Sequence, residues 1–416
     1  MIVFCEECGE QYNISSDDIK KTGCSFRCKF CNDTITVSSP SDLSVSQMQK
    51  GIEHSSKWKE ALKKDPIKLL IVDDSKLIRR ALCKIFDSND DVKVIGEAGN
   101  GLEALEVFPR LNPDVVTMDI NMPAMDGLTA LKHIMIKHPK PTVMLSTLTQ
   151  EGAAVTFDSL KYGAVDFIPK PSKIHELDVE VQHQNIIRKI ILAAGVEMEA
   201  IRYLKTPSKV KNLQRCEQMT SDFIVAIGTS EGGYGALLKV IPRLLPGLPT
   251  AIIAVLYEDP RHIDAFARYL DDQSLLKVKR AKDGEPIQGG VCYLASGDEY
   301  TIVESMNGGY LFQVNRSPFP TRRGAINMLM FSVAEVMKNR TAGVILSGTG
   351  EDGVEGINEI IRMGGTGIVQ DPTSCLYKET SRLAIDRCKV DLVLPAGKIA
   401  EKMNHFSAGK LNEESI

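Results

Sequence analysis

The 416-residue sequence contains no apolar run approaching the roughly 18 residues that mark a membrane-spanning helix, so no membrane insertion is expected. Its first residues, MIVFCEECGE, lack the basic start and apolar stretch of a secretory signal, which points to a cytoplasmic protein. Charge of one sign is not in excess: 50 Lys and Arg face 54 Asp and Glu, for a formal net charge of −4. That balance gives no reason to expect a nucleic-acid partner. There is no internal repeat. What is present is 43% apolar and 25% charged residues, an ordinary globular composition. The length leaves room for about two to four domains.

Cysteine is distributed unevenly. Five of ten lie within the first 31 residues: Cys5, Cys8, Cys24, Cys28 and Cys31. The scattered remainder read as small core residues or free thiols in a reducing compartment. Cys5-x-x-Cys8 and Cys28-x-x-Cys31 form two turns about 20 residues apart, each presenting two thiolates to one ion. Residues 1–37 therefore resemble a small zinc ribbon, with Zn2+ held by Cys5, Cys8, Cys28 and Cys31 and with Cys24 as a non-ligand or reserve thiol. So small a unit has no core of its own, and the metal would supply its folding energy. Four thiolates leave no open coordination position, which suits docking or stability rather than catalysis. The alternatives are a redox dithiol or a disulfide pair. Residues 38–66, rich in Ser, Lys and Asp, read as a linker with one short helix.

From Ile67 the pattern becomes apolar strands alternating with amphipathic helices. KLLIVDD, VKVIGEA, DVVTMDI, TVMLST and DFIPKP read as strands, with SKLIRRALCKIFDS, GLEALEVFPRL, LTALKHIMIKH and FDSLKYGA as helices between them. Such alternation predicts a parallel sheet covered on both faces. Asp73 and Asp74 end the first strand, Asp119 the third and Ser146 the fourth, while Lys170 follows the fifth. Ligands gather at the carboxyl ends of parallel strands. Crowded acids repel, and a divalent cation relieves the repulsion. Mg2+ takes oxygen ligands, here Asp73, Asp74, Asp119 and the backbone carbonyl of Asn121. Asp119 is then the phosphoryl acceptor, Lys170 and Ser146 meet the phosphoryl oxygens, and Phe167 occupies a packing-switch position. The plain alternative is that such acids are solvated or cap the following helices.

Residues 181–220 contain IIRKIILAAGVEMEAIRYL, a connecting helix, and then a polar stretch. A second βα series runs from FIVAIGTS at Phe223 to VDLVLP. Gly228-Thr229-Ser230-Glu231-Gly232 fits G-x-S-x-G at a strand-to-helix turn, which lifts the hydroxyl of a nucleophilic serine to the sheet rim. A Gly-rich turn with a helix-capping serine, or a phosphate loop, would look similar. VILSGTGEDGVEGINEIIRMGG sets Asp352 in a glycine-flanked loop after another strand.

IVDDS, MDINMPAMDG, LST and the KP of IPKP make residues 67–180 resemble a response-regulator receiver domain. GTSEGG, SGTGEDG, GGTGIVQDPTSCLY and LASGDEYTIV make residues 221–405 resemble the methylesterase domain of the CheB family. The resemblance implies a flavodoxin-like receiver followed by a Rossmann-like α/β esterase. It further implies phosphorylation by a chemotaxis histidine kinase, and demethylation or deamidation of methyl-accepting chemotaxis receptors. The family's Ser-His-Asp triad maps to Ser230 as nucleophile and Asp352 as orienting acid. At the family's histidine this chain has Tyr257, and Glu231 replaces a threonine. A tyrosine, ionising near pH ~10, is a poor base at neutral pH. His262, near the start of the next helix, is the candidate substitute, and Glu231 is another. Two expectations follow: an esterase with a displaced base, or a phosphorylation-gated binding module that has kept the fold and lost hydrolysis.

Overall fold

The computed structural model describes residues 2–4, 11–13, 24–27, 29, 34–37, 65–87, 89–146, 150–170, 176–198, 219–246, 249–306, 308–316 and 324–406. Two compact units are distinguished, Met1–Asp65 and Pro66–Ile416. In the first, β1 (Ile2–Phe4) pairs antiparallel with β2 (Gln11–Asn13), and β3 (Cys24–Arg27) with β4 (Thr34–Val37). The expected zinc ligands Cys5, Cys8, Cys28 and Cys31 lie outside the described residues, as do the side chain of Cys24 and the expected linker up to residue 64.

The second unit begins with β5 (Ile67–Val72), α1 (Lys76–Asp87), β6 (Val92–Ala98), α2 (Gly101–Leu111), β7 (Val115–Asp119), α3 (Gly127–Lys137), β8 (Thr142–Ser146), α4 (Gln150–Lys161) and β9 (Asp166–Pro169). The five strands form one parallel sheet in the order β6-β5-β7-β8-β9. Leu69, Leu70, Ile71 and Val72 are all fully buried. An unbroken apolar run of this kind is what a strand covered by helices on both faces requires. Helix starts are fixed by local caps: Asn100 accepts from the Glu103 N–H at 3.0 Å, and Asp126 from the Thr129 N–H at 2.8 Å. Between β7 and α3 the chain doubles back so tightly that a Cβ on Gly127 would lie 1.9 Å from the Asp119 carbonyl oxygen, so only glycine fits there.

The connecting helix, α5, spans Glu176–Ala194. It starts before the apolar stretch that predicted it and stops at Gly195, whose N–H turns back to the Leu192 carbonyl. The chain continues through β10 (Met219–Thr220), β11 (Phe223–Thr229), α6 (Gly233–Val240), β12 (Thr250–Leu256), α7 (Pro260–Gln273), β13 (Lys277–Arg280), β14 (Gln288–Gly289) and β15 (Val291–Ser296). It ends with β16 (Glu299–Met306), β17 (Gly309–Arg316), α8 (Ala325–Met337), β18 (Thr341–Ile345), α9 (Val354–Arg362), β19 (Thr366–Gln370), α10 (Glu379–Arg387), β20 (Leu392–Leu394) and α11 (Ala396–Phe406). Seven of these strands make a parallel sheet in the order β13-β15-β12-β11-β18-β19-β20. The sequence reading did not anticipate the β16–β17 hairpin, an antiparallel pair outside that sheet. Its sequence signal is the Asn-Gly-Gly stretch between two β-rich runs.

The two sheets share a core. Phe157 on α4 and Phe167 on β9 meet Tyr234 on α6 and Phe266 and Tyr269 on α7. Ring centroids are 5.5 Å apart for Phe157–Tyr234, 4.9 Å for Phe157–Phe266, 5.2 Å for Phe157–Tyr269 and 4.8 Å for Phe167–Tyr234. All five rings are buried. Aromatic pairs at such separations gain about 0.5–1.5 kcal/mol each beyond area burial.

Candidate functional site

Three carboxylates gather at the carboxyl ends of β5 and β7. Asp73 is fully buried, Asp119 is 3% exposed and Asp74 faces solvent. Their ligand atoms lie within 4.8 Å of one another. Lys170 Nζ is 2.9 Å from Asp73 Oδ2 and 2.8 Å from Asp119 Oδ2. Asp73 Oδ1 also accepts from the Ser75 N–H at 2.8 Å. Burial raises the Asp119 carboxyl above its ordinary range, although Lys170 and the Asn121 N–H pull it down. Burial alone would lower Lys170, but its bonds to Asp119 and Asp73 outweigh that and raise it. Ser146, at the end of β8, is buried with Oγ 2.8 Å from Thr156 Oγ1. Phe167 is 1% exposed within the aromatic core. The donor set is anionic and entirely oxygen, which suits a small hard cation such as Mg2+. Asp73, Asp74 and Asp119 are the side chains that would hold it.

The second cluster lies at the ends of the neighbouring strands β12, β11 and β18. β11 leads into Ser230, and Gly232 at φ 76° makes the turn into α6, a backbone shape that favours glycine. Ser230 Oγ accepts from the Thr349 N–H at 2.9 Å and donates to the Thr349 carbonyl at 3.3 Å. Asp352 accepts from the Ile326 N–H at 2.9 Å and the Asn327 N–H at 3.0 Å, so it caps α8. It is also bonded to Tyr257: the tyrosine hydroxyl donates to Asp352 Oδ2 and accepts from the Ala325 N–H at 3.2 Å. Burial, and then the adjacent Asp352 carboxylate, push the Tyr257 hydroxyl far above its ordinary value, so it stays protonated. His262 Nδ1 lies 3.4 Å from Glu258 Oε2, and the hydrogen-bond partners of Ser230 Oγ among the described residues belong to Thr349. Glu231 pairs with Arg188 and accepts from Thr349 Oγ1 at 2.6 Å. Burial would raise its carboxyl, yet Arg188 and Thr349 together hold it below the ordinary range.

Of the residues singled out in the sequence, Asp73, Asp74, Asp119, Ser146 and Lys170 stand at the strand ends of the first sheet and Ser230, Asp352 and Tyr257 at the ends of adjacent strands of the second, while His262 faces Glu258 and Glu231 faces Arg188 and Thr349. Thr349, Arg188 and Lys189 were not anticipated. Thr349 sits in the Ser-Gly-Thr-Gly loop that had already pointed to Asp352, and the two basic residues interrupt the apolar run IIRKIILAA.

A parallel five-stranded unit with an acid trio and a lysine, packed on an α/β unit with a serine turn, defines a response regulator with an enzyme-type effector. The family model of the response regulator receiver domain matches residues 69–182, and that of the CheB methylesterase matches 225–403. A protein-glutamate methylesterase/protein-glutamine glutaminase of Pyrococcus abyssi is 39% identical over 341 residues, 80% of this chain and 92% of the relative. A protein of the same description from Thermotoga maritima is 39% identical over 338 residues, covering 81% and 97%. The crystal structure of the Thermotoga maritima CheB methylesterase catalytic domain aligns at 35% identity and a TM-score of 0.43, covering 44% of this chain and 97% of that one. The chain belongs to the CheB protein-glutamate methylesterase family.

Proposed function

We propose that this protein is a chemotaxis response regulator whose effector acts on methyl-esterified glutamates, and on glutamines, of chemoreceptors when Asp119 is phosphorylated. The observation that carries the reading is the acid trio closed by Lys170, on a receiver packed directly against the Ser230-bearing unit. The Asp119 carboxylate attacks the phosphorus of a kinase phosphohistidine, the N–P bond breaks, and Lys170 and Ser146 hold the phosphoryl oxygens. Mg2+, when bound by Asp73, Asp74, Asp119 and the Asn121 carbonyl, offsets charge on those oxygens. In the effector, Ser230 Oγ attacks the ester carbonyl, methanol leaves, and water cleaves the acyl-serine to give glutamate. The reading puts the work in the cytoplasm, where thiols such as Cys83 and Cys292 stay reduced.

Tyr257 favours a second reading. A serine hydroxyl needs a base to take its proton. The group at the family's histidine position is a protonated phenol committed to Asp352. Loss of the base typically costs on the order of 10⁴–10⁶ in rate, which would leave a phosphorylation-gated receptor-binding module. Methanol release from a methyl-esterified receptor, with beryllofluoride and Mg2+ present, separates the two. Release that falls in Ser230→Ala supports hydrolysis, whereas equal release by both proteins, with receptor still bound, supports the module.

For residues 1–37 the doubled Cys-x-x-Cys spacing supports one Zn2+ on Cys5, Cys8, Cys28 and Cys31. Elemental analysis of the purified chain should give one zinc per molecule, lost in Cys8→Ser. A chain free of zinc would end that part of the reading.

A further inference from the structure

Two consecutive cations on α5 reach the residues that directly follow Ser230 and Tyr257. Arg188 pairs with Glu231. Lys189 Nζ lies 3.0 Å from Glu258 Oε1, 3.3 Å from Asp166 Oδ2 and 3.2 Å from the Phe167 carbonyl oxygen, to which it donates. It also sits 5.6 Å from the centroid of the Phe167 ring. The three charged side chains of this node are nearly buried, with 8% exposure for Lys189, 9% for Asp166 and 12% for Glu258. His262 lies against the other oxygen of Glu258.

Asp166 and Phe167 belong to β9, and Lys170, which grips Asp119, follows the same strand. The Phe167 ring packs 4.8 Å from that of Tyr234, four residues after Ser230. A single short strand therefore touches the phosphoacceptor at one end and the Lys189 node at the other. We propose that Lys189, seconded by Arg188, is the positioning element that couples occupancy of Asp119 to the esterase-type site. A shift of β9 toward an occupied Asp119 site carries Asp166 and the Phe167 carbonyl with it, and Lys189, held by both, is drawn away from Glu258 beside Tyr257. Arg188 moves with the same helix turn and leaves Glu231 beside Ser230. This inference rests on the reading of Asp119 as the phosphoryl acceptor.

Coupling between sites is reciprocal. If filling the Asp119 site weakens the node, then breaking the node from the effector side must strengthen binding at Asp119. The experiment titrates beryllofluoride at fixed Mg2+ into the full chain by calorimetry, which needs no esterase activity. Glu258→Gln removes the effector's charge without changing shape, and should bind the mimic about five- to tenfold more tightly than wild type. Arg188→Ala, on a half-exposed side chain that the fold can spare, should tighten it by about two- to fivefold. Tyr269→Phe deletes another bond across the same packed surface, from Tyr269 to Asp158, but one that involves neither β9 nor Lys189, and should stay within about twofold of wild type. Unchanged or weaker binding in Glu258→Gln overturns the proposal. So does an equal gain in Tyr269→Phe, because the effect would then belong to the whole packed surface. A wild-type chain that binds no beryllofluoride at all fails at the earlier reading of Asp119, a result distinct from binding that is indifferent to Glu258.

Discussion

Tyr257 sits just past the end of β12 with its hydroxyl held between the Asp352 carboxylate and the Ala325 N–H. Replacing it with histidine would set an imidazole beside the same carboxylate, the arrangement in which Asp352 could orient a base for Ser230. Tyr257→His is expected to raise methanol release from a methyl-esterified receptor by at least about 10²-fold, with the gain abolished by adding Ser230→Ala. A titration of stability checks the protonated phenol separately. An unfolded tyrosine ionises near pH ~10. The folded one, raised by burial and by Asp352, ionises higher. The unfolded state therefore loses its proton first, and this group's contribution is present below pH ~10 and declines above it. Urea unfolding of Tyr257→Phe between about pH 9 and 11 should show a shallower alkaline loss than wild type, and an identical slope would count against the phenol's being held protonated. At this scale the sequence was legible wherever a strand end fixed a side chain, as at Asp73, Asp119, Ser146, Lys170 and Ser230. It was not legible for Arg188 and Lys189, because their partners Glu231 and Glu258 lie 43 and 69 residues further along the chain.

Among the elements, α4, β9, α6 and α7 meet through five aromatic rings. Phe157 touches four of the other rings at its centre. Phe157→Ala should cost about 3–5 kcal/mol in urea unfolding, as expected for an aromatic ring lost from a packed core. A cost under about 1 kcal/mol would mean that the rings do not bind the two sheets together. Strands such as KLLIVDD and FIVAIGTS were readable because both faces of a parallel sheet are covered, which leaves their apolar runs unbroken. The helices that carry the rings were readable only as amphipathic, since periodicity gives a buried face without naming what covers it. Hairpin β16–β17 escaped because its alternation is weak and the start of its first strand was read as part of the LASGDEYTIV landmark rather than as one arm of a reversal.

Across the whole molecule, Pro66–Ile416 behaves as one compact unit, so a ligand at the acid trio should be felt in its overall stability. With Mg2+ present and beryllofluoride at about a hundred times its dissociation constant, unfolding should become harder by about 2.7 kcal/mol. Chelating the Mg2+ should remove the gain, and Asp119→Asn should prevent it. Stabilisation that persists in Asp119→Asn would place the mimic somewhere other than Asp119. The order of the two large units was legible from motifs alone, whereas their joint packing was not, because no local pattern in β9 announces a second partner.

Phe167 gives that joint packing a further meaning. Its ring forms a wall of the effector's interior while its strand lines the phosphoacceptor pocket. A substitution that suits one half is therefore judged at once by the other. The two units cannot drift independently in sequence at this strand, and a receiver transplanted from a relative would inherit the wrong neighbour for its fifth strand even if every acid in its pocket were identical.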